Sequence, residues 1–435
     1  MKCKGIHIIN YNYQRGGKDM QVTALGAVIG LVVAIFLIIK KVHPAYGLIL
    51  GALVGGLVGG AGLGGTVTLM MDGAKGMITA ILRILTAGVL AGVLIQSGAA
   101  AKIAETIVEK LGEANSLIAL ALATMVLTAV GVFIDVAVIT VAPIALAMAK
   151  KAKISRTGIL IAMIGGGKAG NIISPNPNAI AASDAFNQPL TSVMAAGIIP
   201  AIVGLIVTVI VAKKLAHKGS AVEVVGSESE VQDKPGFLSA IVGPLVAIII
   251  LALRPLFNIS IDPMIALPVG GIIGALAMGK IKNINKYAEV GIGKMSGVAI
   301  LLLGTGTISG IIANSGLKDV IINSMNSLGL PAFALAPLAG ILMSAATAST
   351  TSGTTVGSQV FGATLLDLGV QPLNAAAMIH SGATVLDHLP HGSFFHATGG
   401  SVFMDMKERL KLIPYESLIG LSMTIVSTII YGIIL

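Results

Sequence analysis

The chain has 435 residues, of which 55% are hydrophobic and 11% charged, with a mean hydropathy of +0.94. A soluble domain carries about 25% charged residues, so this composition excludes an ordinary soluble enzyme. The absence of Trp and the 4% aromatic content exclude an aromatic-girdled β-barrel.

Residues 1–21 are polar and have no signal-peptide pattern. They read as an N-terminal extension, with Met20 as an alternative start. Cys3 is the single cysteine and can form no internal disulfide. Apolar segments then follow at 22–39, 46–63, 78–97, 116–132, 134–149, 158–183 and 193–212. Their lengths fit an all-α polytopic membrane protein. The net charge of +9 comes from Lys and Arg lying between these segments. The positive-inside bias accounts for that distribution without nucleic acid. Arg83 falls inside a span and is expected to snorkel to the interface.

Residues 213–237 form a hydrophilic stretch, KKLAHKGS followed by Glu223, Glu228, Glu230 and Asp233. It reads as a cytoplasmic linker between a first repeat at 22–212 and a second at 238–435. Apolar segments resume at 238–257, 264–279, 295–314, 331–347, 353–366, 374–403 and 414–435. The segments at 134–149 and 353–366 are short and suit halves of re-entrant hairpins.

The two halves match in order. Pro44 pairs with Pro263 at an offset of 219, and Pro175 pairs with Pro390 at an offset of 215. Between them GVLIQSGAAAKIAETI matches GIIANSGLKDVIINSM, and MIGGGKAGNIISPN matches MIHSGATVLDHLPH. An odd number of crossings per half inverts the second repeat. The basic clusters fall on one side if both termini are outside.

Two polar runs lie at membrane depth. In the first, Pro175 and Pro177 remove backbone donors, and Gly165, Gly166, Gly167 and Gly170 are expected to loosen the preceding helix. Lys168, Asn171, Ser174, Asn176 and Asn178 there supply a cation and neutral groups for a hydroxylated anion. In the second, Pro390 is flanked by His380, Ser381, Asp387, His388 and His391. Irregular backbone at this depth is tolerated only where it is buried in protein or lines a cavity. The run TASTTSGTTVGS, with Ser349, Thr350, Thr351, Ser352 and Thr354, suits a hairpin tip touching substrate. The same offset in the first half lands near Asp135, an isolated intramembrane carboxylate. Asp135 and Asp387 are the proton-coupling candidates. The histidines, His396 included, lack HExxH spacing, so no metal and no cofactor is expected.

The runs GGGKAGNIISPNPNAIAAS, SAATASTTSGTTVGSQVFG and IHSGATVLDHLPHGSFFHATGGSVFMDMKERLKLIPYE resemble the gluconate permease (gluconate:H⁺ symporter) family of the ion transporter superfamily. The resemblance covers nearly everything after residue 20. It implies proton-coupled uptake of gluconate or a related sugar acid across a bacterial inner membrane. It also implies inverted repeats, paired hairpins, an elevator-type movement and a homodimer. Members differ in substrate, among gluconate, idonate, fructuronate-like acids and D-serine. Lys168 departs from the neutral residue expected at its position. An uncoupled facilitator with the same fold is the alternative.

Overall fold

The computed structural model describes residues 22–222, 234–327 and 329–435. The N-terminal extension with Cys3 and Met20 lies outside the described residues, as do Glu223, Glu228, Glu230 and Asp233 of the linker.

The described chain is built of α-helices. The first half holds α1 (Ala24–Ile39), α2 (Pro44–Val58), α3 (Gly62–Lys75), α4 (Ile78–Gln96) and α5 (Ala99–Leu111). It continues with α6 (Ser116–Ala129), α7 (Ile134–Ala152), α8 (Arg156–Asn171), α9 (Pro177–Ala185), α10 (Leu190–Ala196) and α11 (Ile198–Leu215). The second half holds α12 (Phe237–Phe257), α13 (Pro263–Ala277), α14 (Ile284–Ala313), α15 (Leu317–Ser327) and α16 (Leu335–Thr347). It ends with α17 (Thr350–Asp367), α18 (Pro372–Gly382), α19 (Ser393–Ser401), α20 (Met406–Leu410) and α21 (Ile413–Thr428). The helices α3, α5, α15 and α20 lie outside the apolar segments expected from sequence. They are shorter or more polar, which hides them from a hydropathy reading.

The halves exchange equivalent contacts. α2 packs on α14 while α13 packs on α4. α12 packs on α5 while α1 packs on α15. α9 packs on α17 while α19 packs on α7, and α11 meets α21 across the centre. This reciprocity is what an inverted pair of repeats produces. One difference stands out: α14 runs 30 residues unbroken, whereas its counterpart is divided into α3 and α4 at Gly76–Met77.

Each half contains one helix–tip–helix hairpin, α6/α7 and α16/α17. The short members are α6, with 14 residues, and α16, with 13. At a rise of 1.5 Å per residue each is about 20 Å long, too short for a hydrocarbon core of about 30 Å. The sequence reading placed the short halves at 134–149 and 353–366. Those helices, α7 and α17, are instead the longer members, because each extends into residues too polar to count as apolar. Each half also contains one broken helix. Residues 172–176 separate α8 from α9, and residues 383–392 separate α18 from α19.

The core sits around α8, where every residue from Thr157 to Asn171 is buried. The glycines there do not loosen the helix, which runs intact to Asn171. They let neighbours approach. A Cβ on Gly166 would fall 2.0 Å from the Ala121 carbonyl oxygen, and one on Gly170 would fall 2.0 Å from that of Met125. Small residues are how membrane helices gain close packing. The outer surface is apolar: Ile198, Ile202, Ile206 and Ile210 form an exposed stripe along α11, as a lipid-facing helix requires.

Candidate functional site

The two hairpin tips and the two helix breaks meet at one cavity of about 160 Å³. Its lining includes Phe133, Ile134 and Asp135 from the first tip and Ala348, Ser349, Thr350 and Thr351 from the second. The breaks contribute Asn171, Asn178, Asp387, Ser393 and Phe394. The lining is itself repeated. Phe133, Ile134 and Asp135 stand 215 residues before Ala348, Ser349 and Thr350, and Asn178 stands 215 before Ser393.

Four helices begin at this cavity. α7 starts at Ile134, α9 at Pro177, α17 at Thr350 and α19 at Ser393. A helix N-terminus carries the equivalent of roughly +0.5 charge on its free N–H groups. Four of them sum to about +2 on that scale, decaying within a turn. Two are capped by side chains: the Asn176 Oδ1 accepts from the Asn178 and Ala179 N–H groups, and the Ser349 Oγ accepts from the Ser352 N–H. The α7 and α19 starts have no side-chain cap. Their donors remain for a ligand, and an anion is what such a cluster of N-termini accepts.

The acidic residues at the cavity offset part of this field. Asp135 lies in the first turn of α7, half-buried, with no ion pair to another described residue. Asp387 is neutralised in place. Its Oδ1 is 2.5 Å from the Lys168 Nζ, and its Oδ2 accepts from the Thr350 hydroxyl at 2.5 Å. Set against about +2 from four helix ends, one uncompensated carboxylate leaves the cavity favourable to a single negative charge.

Lys168 therefore does not line the cavity. It is fully buried in α8, with Nζ donating to the Thr384 carbonyl at 2.6 Å and to Asp387, and 3.0 Å from the His388 Nδ1. The remaining sequence candidates divide in the same way. Asn178 and Thr351 face the cavity and are joined, the Thr351 hydroxyl donating to the Asn178 Oδ1 at 2.6 Å. Asn171 lines it too, and its side-chain oxygen accepts from the Asn176 amide at 2.6 Å. Asn176, Ser349 and Ser352 serve as caps or capped residues. Ser174 and Thr354 are buried outside the lining, each with its hydroxyl unbonded. Ser381 donates back to the Ala377 carbonyl within α18. His380 is buried, its Nε2 unbonded, in a separate small cleft with Ile172 and Ser427. His391 holds the Ala346 carbonyl next to the second tip at 3.2 Å, and His396 holds the Pro390 carbonyl at 2.8 Å.

His388 is fully buried behind Asp387, with Nδ1 3.0 Å from the Asp387 Oδ1 and Nε2 3.0 Å from the Ile413 carbonyl. Beyond it the Arg409 guanidinium pairs with the Glu416 carboxylate, both buried. The sequence reading missed Glu416, Arg409, Ser393 and Phe394. The offset that links Asn178 to Ser393 was the available signal for Ser393.

Arg83, expected to snorkel, is held by two carboxylates. Its guanidinium bonds Asp184 at the end of α9 and, at 2.5 Å, Asp262 at the start of α13. The bonded guanidinium holds the Asp262 carboxyl below the usual carboxylate range. No group of three His, Cys, Asp or Glu able to hold a metal occurs among the described residues.

The sequence model described as GntP family permease matches residues 22–434. An uncharacterized transporter of Haemophilus influenzae is 66% identical over 415 residues, covering 95% of this chain and 99% of that protein. A gluconate permease of Pseudomonas aeruginosa is 24% identical over 402 residues, 86% of this chain and 88% of that one. Among solved structures, the Alcanivorax borkumensis YdaH transporter superposes with a TM-score of 0.67 at 16% identity, covering 86% of this chain and 89% of that chain. Neisseria gonorrhoeae MtrF superposes with a TM-score of 0.58 at 13% identity, covering 87% and 86%. These two likenesses concern the fold.

Proposed function

This chain belongs to the GntP family of permeases, and we propose that it is a secondary carrier for gluconate or a related sugar acid, taken up with a proton. The observation that carries the reading is the convergence of four helix N-termini on one cavity. It supports recognition of a small anion, while Asn171, Asn178, Ser349, Thr350 and Thr351 offer neutral groups to hydroxyls. The gluconate permease among its relatives supports the choice of acid.

In this reading the two repeats divide at residues 213–237, and both termini face outward from a bacterial inner membrane. The hairpins and broken helices carry the ligand as a unit against α1–α4 and α12–α14, in an elevator-type movement within a homodimer. A proton at Asp135, at Asp387 or at a group bonded to them offsets the ligand's charge.

Proteoliposomes holding the purified protein test this. Labelled gluconate should accumulate when an inward proton gradient is imposed, and internal unlabelled gluconate should accelerate entry of label. Uptake indifferent to both the gradient and internal substrate would identify a passive pore. Failure to take up gluconate, with uptake of another hydroxy acid or D-serine, would move the substrate and leave the carrier.

A further inference from the structure

We infer that His388 is the residue that takes up the coupling proton, deepening the carrier reading above, on which it rests. The ring sits between two buried ion pairs. Nδ1 faces Lys168 from α8 and Asp387 from its own segment, each at 3.0 Å. It also faces Glu416 from α21 at 4.0 Å, and Glu416 in turn holds Arg409. Nε2 faces the Ile413 carbonyl at 3.0 Å and the Ser417 hydroxyl at 3.2 Å.

Both ring nitrogens face an acceptor, the Ile413 carbonyl at Nε2 and the Asp387 carboxylate at Nδ1, and a neutral ring has one hydrogen for the two. With that hydrogen on Nε2, the Nδ1 lone pair accepts from the Lys168 ammonium, and the contact with Asp387 is left without a hydrogen. With a neutral ring the buried group is balanced: Lys168 against Asp387, Arg409 against Glu416. Histidine is the side chain whose charge ordinarily changes near neutral pH. A proton arriving from water forms an N–H bond at Nδ1 and donates to the Asp387 Oδ1. The hydrogen bond from Lys168 to Nδ1 is lost in the same step. On release the proton leaves from Nδ1 and the Lys168 bond re-forms.

The consequence reaches the cavity without any large movement. The protonated group carries one net positive charge, and Asp387, which lines the cavity, is shared between two cations. An anion in the cavity balances that charge. Proton and anion then favour each other's binding, and the coupling is reciprocal. Its sign is the one that a proton–carboxylate symporter needs. His388 differs from Asp135, which borders the cavity but has no ion-pair partner among the described residues.

The test compares wild type with His388→Gln, whose amide keeps a donor toward Ile413 but has no basic nitrogen. Gluconate affinity by thermal shift should be at least about fivefold tighter at pH 6 than at pH 8 in wild type, the lower end of ordinary coupling. In H388Q it should be independent of pH, whatever its level. An H388Q protein that keeps the wild-type pH dependence overturns the assignment and leaves the carrier reading intact. Wild-type uptake that ignores an imposed proton gradient overturns the coupling and this assignment together. Proton uptake on gluconate addition in weak buffer supplies a second readout: it should be lost in H388Q, and its retention per gluconate bound overturns the proposal. Should H388Q fail to fold, proton uptake on gluconate addition in weak buffer is measured in Asp135→Asn. It should persist per gluconate bound; its loss assigns the proton to Asp135 instead.

Discussion

The Lys168 Nζ stands 2.5 Å from the Asp387 Oδ1, although 219 residues separate them in the chain. Each belongs to a broken helix of a different half, and both side chains are buried. The pair joins the helix before the first break to the segment of the second. Breaking a buried ion pair from one side leaves an uncompensated charge, at about 3–5 kcal/mol. Lys168→Ala should lower the melting temperature of purified protein markedly. The double change Lys168→Met with Asp387→Leu should recover most of that loss, because no charge is then left alone. A double variant as unstable as the single one would contradict the pairing.

The Thr351 hydroxyl and the Asn178 side chain connect the second hairpin tip to the start of α9. A neutral hydrogen bond is worth about 1 kcal/mol net, so Thr351→Ala and Asn178→Ala should change stability little. Both groups line the cavity, and both variants should lose roughly five- to tenfold in gluconate affinity, one such bond's worth. Thr351→Ser should retain it. Thermal titration with gluconate checks all three.

Gly392 touches the same tip from the second break. A Cβ there would lie 2.6 Å from both the Cβ and the carbonyl oxygen of Ala348. Ala348 itself has a φ of 48°, a left-handed conformation that costs a non-glycine residue about 1–2 kcal/mol. The tip therefore has little room to yield. Gly392→Ala should displace it, weakening gluconate binding more than melting temperature. A crystal or cryo-EM structure of the variant with an undisturbed tip would refute the argument.

Arg83 bonds Asp184, six positions beyond Asn178 on α9, and also Asp262 on α13. This cluster ties the cavity-bearing helix to α4 and α13. In the elevator reading, such a contact must break as the loaded unit moves. Asp184→Asn should then change the rate of gluconate exchange while its half-saturating concentration stays within about twofold, since Asp184 does not line the cavity. Altered affinity with an unaltered rate would speak against a moving contact.

Much of this protein was determined by the sequence alone. Its apolar segments define a multi-pass helical membrane protein, and its paired prolines mark a duplication. Pro175 and Pro390 each fall within a break, whereas Pro143 and Pro268 stand inside intact helices, so a proline marks a break here only together with the polar run around it. The runs from Gly165 and from His380 likewise announce chemistry at depth. The tertiary structure decided what each polar residue does. Lys168 reads as a ligand for the substrate, yet it is spent on Asp387, because a buried ammonium without a carboxylate is too costly to leave alone. Gly166 and Gly170 read as loosening their helix, yet α8 is intact and they admit α6. Asn171, Asn178, Thr350 and Thr351 reach one cavity with Ser393, whereas Ser174, Thr354 and His380 do not. Local patterns record which groups are polar and where the backbone must break. Which of those groups face each other depends on how two halves fold back together, and that information is held only in the packing.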